Sequence, residues 1–233
     1  MAEVQRISSG IEAFDHLLGG GWVPGCVYRL SGPPGCGKST LALDVASRLP
    51  SLYAAAEEAA SSVRMRFARI CGDAPKTMLI GEVAAVEDVL DAPDGVQLVV
   101  VDSLHRLRSP AVSGAAGTNG QLVHATEELV GLARKRGVVV LAISHVNREG
   151  DASGTTGVDH DVDALIEMTR GEEDGELAIL RIRKNRHGPA PIAVEVTVGA
   201  WGLRYHSEVG PAKDGPEARL TGHPETAHSF PDP

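Results

Sequence analysis

The residues with the clearest capacity for chemistry are Gly32-Pro33-Pro34-Gly35-Cys36-Gly37-Lys38-Ser39, which fit the spacing GxxxxGK(S/T) in full. Each part has a physical job. The glycines let backbone N–H groups turn inward around an anion. A helix beginning near Lys38 points its positive end at the same anion. Lys38 adds a cation for the β- and γ-oxygens, and Ser39 offers a hydroxyl to Mg²⁺. Thr40 follows directly and is counted in the same cradle. The alternative is a glycine-rich loop that binds nothing. The strand before it and the helix after it argue for the phosphate loop, with ATP and Mg²⁺ as its expected ligands.

Three further positions end apolar runs where a ligand would sit. Asp102 closes Leu98-Val99-Val100-Val101, and a carboxylate there can hold Mg²⁺ through water, opposite Ser39. A strand-end Asp that merely caps the next segment is the competing reading. Glu57 and Glu58 end a second run. If that strand neighbours the phosphate-loop strand, one of them faces the γ-phosphate and can orient and deprotonate a water. A solvated acidic helix start is the alternative. His145 ends residues 138–144, where it can sense a γ-phosphate or simply be a satisfied histidine. Asp159, His160, Asp161 and Asp163 read as a solvated turn before the next strand rather than a metal cluster, and Cys36 as a tolerated small residue.

These positions need strands and helices in alternation, and the chain supplies them. Residues 27–31, 52–56, 97–101 and 138–144 are short apolar runs. Helical patterns separate them, carrying Leu41, Val45 and Leu49, then residues 60–70, then residues 121–136 with Leu122, Ala125, Leu129, Leu132 and Ala133 in one stripe. Gly137 stops the last. Strands apolar on both sides predict a mostly parallel α/β sheet flanked by helices. Residues 177–183 and 192–198 flank Asn185-Arg186-His187-Gly188-Pro189 and predict an antiparallel hairpin at one sheet edge. Two glycine-containing loops, residues 109–120 and 148–161, leave the carboxyl ends of adjacent strands, where open sheets hold ligands. Residues 1–208 are expected to form one domain and residues 209–233 a flexible tail.

Composition narrows the function classes. The chain has 233 residues, 42% hydrophobic and 23% charged, an ordinary globular balance. No run approaches a membrane span, and no secretory leader is visible at the start. Lys+Arg 22 against Asp+Glu 31 leaves a net charge of −9, which argues against a wholly basic DNA-binding surface but permits a local basic lining. Cys26, Cys36 and Cys71 make no CxxC pattern and no disulfide framework, which fits a cytoplasmic location.

The motifs together resemble the RecA-like P-loop ATPases, and within them the ATPase core of RadA (Sms), with DnaB-type helicases and KaiC as neighbours. Arg6-Ile7-Ser8-Ser9-Gly10-Ile11 through Leu18-Gly19-Gly20-Gly21 resembles the lead-in of RadA and KaiC. Residues 52–58 are similar to the family's strand with Glu-Glu. Ser144-His145-Val146-Asn147-Arg148-Glu149-Gly150 resembles GHVTKEG, and Lys184-Asn185-Arg186-His187-Gly188 resembles KNRFG, with His187 in the place of Phe. The resemblance implies a hexameric ring with ATP between subunits, Glu57 as base and His145 as γ-phosphate switch. It implies that Lys184 and Arg186 reach the neighbouring subunit's ATP, and that the two loops face single-stranded DNA. An exposed basic turn is the plainer reading of Lys184 and Arg186. The family's zinc module and Lon-like domain have no counterpart here, so a stand-alone core is expected.

The expected function is a DNA-stimulated ATPase motor in recombination, repair or replication, with partner proteins of those processes. The two loops hold no Trp, Tyr or Phe, and Arg106, Arg108 and Arg148 flank them while Asp151, Asp159 and Asp161 oppose, so backbone contacts from loop amides would have to carry the DNA. A KaiC-like oligomeric switch or a nucleotide-binding mediator without translocation is the alternative, and the acidic balance favours the switch.

Overall fold

The computed structural model describes residues 4–72, 77–145, 156–170, 176–199 and 202–211; for Thr156 and residues 207–211 only the backbone is described. The order is α1 (Glu12–Leu18), β1 (Val27–Ser31), α2 (Lys38–Ala46), β2 (Ser51–Ala55), α3 (Ala60–Cys71), β3 (Met78–Glu82), α4 (Val86–Leu90), β4 (Leu98–Asp102), α5 (Asn119–Arg136), β5 (Val139–Ile143), α6 (Thr156–Asp161), β6 (Ala164–Arg170), β7 (Leu177–Asn185), β8 (Ile192–Gly199) and β9 (Gly202–Pro211). Among the described residues the nine strands form one sheet, in the order β3-β2-β4-β5-β1-β6-β7-β8-β9. Neighbours from β3 through β6 run parallel, and those from β6 through β9 antiparallel.

The apolar runs dictate this layering. Every residue of β4 and β5 is buried, so helices must cover both faces. One face packs Tyr28, Leu30, Tyr53, Val100 and Leu141 against Phe14 of α1, Leu41 of α2 and Phe67 of α3. The other packs Val27, Val99, Val101 and Val140 against Val86 of α4 and Leu122 and Leu129 of α5. The predicted mostly parallel α/β sheet and the β7–β8 hairpin are both present. The hairpin lies inside the antiparallel section rather than at its rim, because β9 pairs outside β8.

Other elements lacked a readable pattern. β3 is a half-exposed edge strand containing Gly81, without alternation to detect. The strand β9 runs to Pro211, past residue 208, and the Tyr205 hydroxyl donates to Asp44 of α2 at 3.3 Å, tying it back to the core. The expected tail beyond residue 211 lies outside the described residues. Among the described residues no helix is long and apolar enough to cross a membrane.

The burial contrast gives a first prediction. Leu141→Ala, at a fully buried central position, should lower unfolding free energy by about 2–5 kcal/mol in urea titrations. Leu79→Ala, on the 45% exposed face of β3, should stay within about 0.5 kcal/mol of the parent.

Candidate functional site

The loop between β1 and α2 takes the strand–turn–helix form that the spacing requires. Gly32 is needed for close approach, since a Cβ there would lie 2.1 Å from the Met168 carbonyl oxygen of β6. Gly35 is needed for its left-handed φ of 76°, and space over it is open: an added Cβ would meet nothing within 4 Å. The buried Lys38 folds back over the loop, its Nζ donating to the carbonyls of Gly32 at 2.9 Å and Pro33 at 2.8 Å. The first turn of α2 contains no acidic side chain, so the positive end of the helix is not offset there. Cys36 is buried beneath the loop, and burial raises its thiol above the usual range. It fills space and is poorly suited to thiolate chemistry.

Asp102, Glu57 and His145 leave the carboxyl ends of β4, β2 and β5, at the same sheet edge as the phosphate loop. The adjacency supposed for Glu57 does not hold. β2 pairs with β3 and β4, so β4 and β5 separate it from β1. Glu57 instead reaches inward, and its Oε2 lies 3.0 Å from His145 Nε2, at the end of the strand next to β1. The Asp102 carbonyl accepts from the amides of Ala56 at 2.7 Å and Glu57 at 3.1 Å, which fixes where the glutamate leaves β2. Burial raises the Glu57 carboxyl, but the bond to His145 and the nearby His145 and Arg106 charges outweigh it and hold the group below its ordinary value. The Asp102 carboxylate is buried and accepts from the Tyr53 hydroxyl. Glu58 turns away and makes a two-bond pair with Arg66 of α3 at 2.6 and 3.0 Å.

The sequence reading missed a cation in the core. Arg29 stands in the middle of β1, only 3% exposed, on the α5 side of the sheet. Its Nε donates to Ser144 Oγ at 2.7 Å, and its Nη1 pairs with the Asp159 carboxylate of α6. Burial pulls the guanidinium down to about 10. Asp159 is therefore half-buried in an ion pair within a helix, not part of a solvated turn. The residue after Ser144 is His145, whose ring centroid lies 6.0 Å from that of His105. Burial, then the His145 and Arg29 charges, lower the His105 imidazole. A lone arginine in an apolar run was the only signal available in the sequence.

Lys184 and Arg186 do not join this site. Their end of β7 pairs with the start of β6, where Ala164 faces Asn185, and lies at the opposite sheet edge from the phosphate loop. Lys184 Nζ donates to the carbonyls of Asp159 at 2.8 Å, His160 at 3.1 Å and Val162 at 2.8 Å, at the carboxyl end of α6. Arg186 bonds Asp163 at 3.2 Å and the His160 carbonyl at 2.8 Å. Residues 109–118 are pinned rather than loose: Gln121 of α5 accepts from the Ser109 amide at 2.7 Å and donates to the Val112 carbonyl at 2.6 Å. Residues 146–155, with Arg148 and Asp151, lie outside the described residues; the stretch that follows them is helix α6.

The residues present fit a nucleoside triphosphate with Mg²⁺. The left-handed Gly35 opens the loop, the ammonium of Lys38 crosses its mouth, and a hydroxyl (Ser39) and a carboxylate (Asp102) are available at one sheet edge.

The Arg29 pair gives the second prediction. Asp159→Ala strands a buried guanidinium, and urea titration should show a loss of about 2–4 kcal/mol. That is below the range for a fully buried pair because Asp159 remains 30% exposed. Arg29→Met, which removes the charge, should cost less than Asp159→Ala.

A family model described as the AAA domain matches residues 2–151. The DNA repair protein RadA of Mycobacterium tuberculosis is 36% identical over 190 residues, which cover 78% of this chain and 39% of that protein. This chain thus spans about two fifths of that relative. Among solved structures, a KaiC-like protein from Pyrococcus horikoshii has a TM-score of 0.70 at 21% identity, covering 88% of this chain and 100% of the other. A DnaB-like replicative helicase has a TM-score of 0.70 at 17% identity, covering 85% of this chain and 61% of that one. Those two show the fold. The chain belongs to the AAA-domain family of P-loop ATPases, as a RecA-like core related to that of RadA.

Proposed function

We propose that the chain is a Mg²⁺-dependent ATPase that couples hydrolysis between subunits of a ring, taken as hexameric, to movement on or remodelling of single-stranded DNA in recombination, repair or replication. The reading rests above all on one observation: Lys38 is buried across an open left-handed loop at the sheet edge where Glu57, Asp102 and His145 also emerge. Relatives named as DNA repair proteins support the DNA role. The reading places the chain in the cytoplasm with recombination or replication proteins as partners.

In this mechanism residues 32–40, namely Gly32, Pro33, Pro34, Gly35, Cys36, Gly37, Lys38, Ser39 and Thr40, wrap the phosphates with loop amides and the positive end of α2 as the donors. Ser39 and, through water, Asp102 would hold Mg²⁺, which would supply positive charge against the phosphoryl oxygens. Glu57 is ionised at neutral pH and accepts the proton of the attacking water. His145 holds Glu57 at 3.0 Å and exchanges that bond for a γ-phosphate oxygen, which releases the base when the site is filled. Lys184 and Arg186 lie at the opposite edge from their own loop, so they serve only a neighbour's nucleotide, and only after leaving the carbonyls of α6. Hydrogen bonds to charged groups contribute about 1.5–3 kcal/mol each, so subunit contact must replace them. Cations so delivered stabilise charge that grows in the transition state.

A second reading, an ATP-regulated oligomeric switch without DNA, is favoured by the net charge of −9 and by the engagement of both basic residues within the chain.

Phosphate release, measured with and without single-stranded DNA at two salt concentrations and several protein concentrations, tests the proposal. The rate per chain should rise with protein concentration and with DNA, and the DNA effect should fade as salt rises. Lys38→Ala should abolish turnover. Glu57→Gln should lower it by about 10²–10⁴ while nucleotide still binds. Lys184→Ala should nearly abolish turnover without weakening nucleotide binding to the monomer; intact turnover there sinks the trans role. DNA-independent turnover with nucleotide-dependent oligomer mass selects the switch.

A further inference from the structure

At the sheet edge remote from the phosphate loop, three potential metal ligands of different chemistry converge. Cys26 immediately precedes β1, Asp163 immediately precedes β6, and His187 lies in the turn between β7 and β8. One ligand atom from each lies within 4.8 Å of the others. The strand order sets this meeting, since β1 pairs with β6 and β6 with β7.

We infer that Cys26, Asp163 and His187 form a site for a thiophilic divalent cation of the Zn²⁺ class, independent of the nucleotide site. A sulfur, an imidazole nitrogen and a carboxylate oxygen are the donor set of zinc and its neighbours. Mg²⁺ and Ca²⁺ prefer oxygen alone. Zinc bond lengths in a tetrahedron put such donors about 3.4–3.6 Å apart, so from separations within 4.8 Å the trio has at most roughly 1.4 Å to close. The exposed His187 side chain can supply that movement, while Cys26 and Asp163 are held in the core.

The surroundings prepare the buried pair. The Val27 amide donates to Asp163 Oδ2 at 2.9 Å and so fixes the orientation of the carboxylate. Arg186 touches Oδ1 at 3.2 Å and also bonds the His160 carbonyl, so it retains a partner if the carboxylate turns toward an ion. Arg6, bonded to the His187 carbonyl, and Arg134, which acts on Cys26, are the other cations nearby. Against them, a thiolate and a carboxylate cancel the charge of a divalent ion. Burial, then the adjacent Asp163, push the Cys26 thiol up to about 11, so formation of the sulfur–metal bond sends its proton to solvent. The exposed side leaves the fourth position to water, as in an open zinc site. A bound ion would clip the turn that follows Lys184 and carries Arg186 to the roots of β1 and β6.

Titration of the purified full chain with Co²⁺, in a reductant that does not bind metal, tests the site. We expect a thiolate-to-cobalt absorption band that saturates at a single equivalent and is displaced by Zn²⁺, with a Zn²⁺-induced rise in Tm. Cys26→Ser should remove the band. His187→Ala, at an exposed position that leaves the fold intact, should weaken Co²⁺ binding by more than about tenfold, the scale of losing even an outer-shell partner. No band with folded protein, a band that survives Cys26→Ser, or unchanged affinity in His187→Ala would each overturn the inference. Turnover enters none of these readouts, so failure of the nucleotide proposal leaves them interpretable.

Discussion

Strand β1 carries the constraint on which the rest depends. It is hydrogen-bonded to β5 on one side and β6 on the other, and four of its five residues are buried. A register slip of one residue would carry Arg29 into the face that now packs Tyr28 and Leu30, and those two into the Arg29 position. An unpaired guanidinium in an apolar layer costs several kcal/mol, so the register is strongly specified. The exact exit of β1 then sets where Gly32 passes Met168 and where α2 begins.

From that strand two ends of the molecule acquire different characters. At the carboxyl edge, parallel strands release Asp102, Glu57 and His145 beside the phosphate loop. At the amino edge, the antiparallel strands return Lys184, Arg186 and His187 to the roots of β1 and β6. Helix α6 touches both halves of the chemistry. Arg29 holds it through Asp159, in contact with Ser144 beside His145, and Lys184 holds its carboxyl end. The Ser144 hydroxyl, by way of Arg29, and the basic end of β7 are thereby linked to one short helix.

Much of this was legible beforehand. Consecutive apolar residues in β4 and β5, with a stripe on α5 ended by Gly137, state a sheet covered on both faces in local terms, and the structure agrees. The phosphate loop is likewise local, because strand, glycines, lysine and helix are contiguous. Edge strands β3 and β9 were not legible, since an edge strand pairs on one side only and takes its stability from that neighbour rather than from a pattern of its own. Nor was the route of Glu57, which depended on strand order: β2 lies beyond β4 and β5, and the glutamate meets His145 rather than following its own strand to β1.

The amino-acid sequence alone determined the buried central strands, the helices beside them, the phosphate loop and the residues able to do chemistry, because those follow from spacings of a few residues and from burial of contiguous runs. It grouped Asp163 with nearby Asp159, His160 and Asp161 in one solvated turn, since proximity along the chain is all that a sequence displays. The tertiary structure instead joined Asp163 to Cys26 and His187, and Asp159 to Arg29. Such contacts arise where parallel crossovers and antiparallel returns bring distant segments to one sheet edge. Strand order decides them, and strand order reflects the packing of the whole core rather than any local preference.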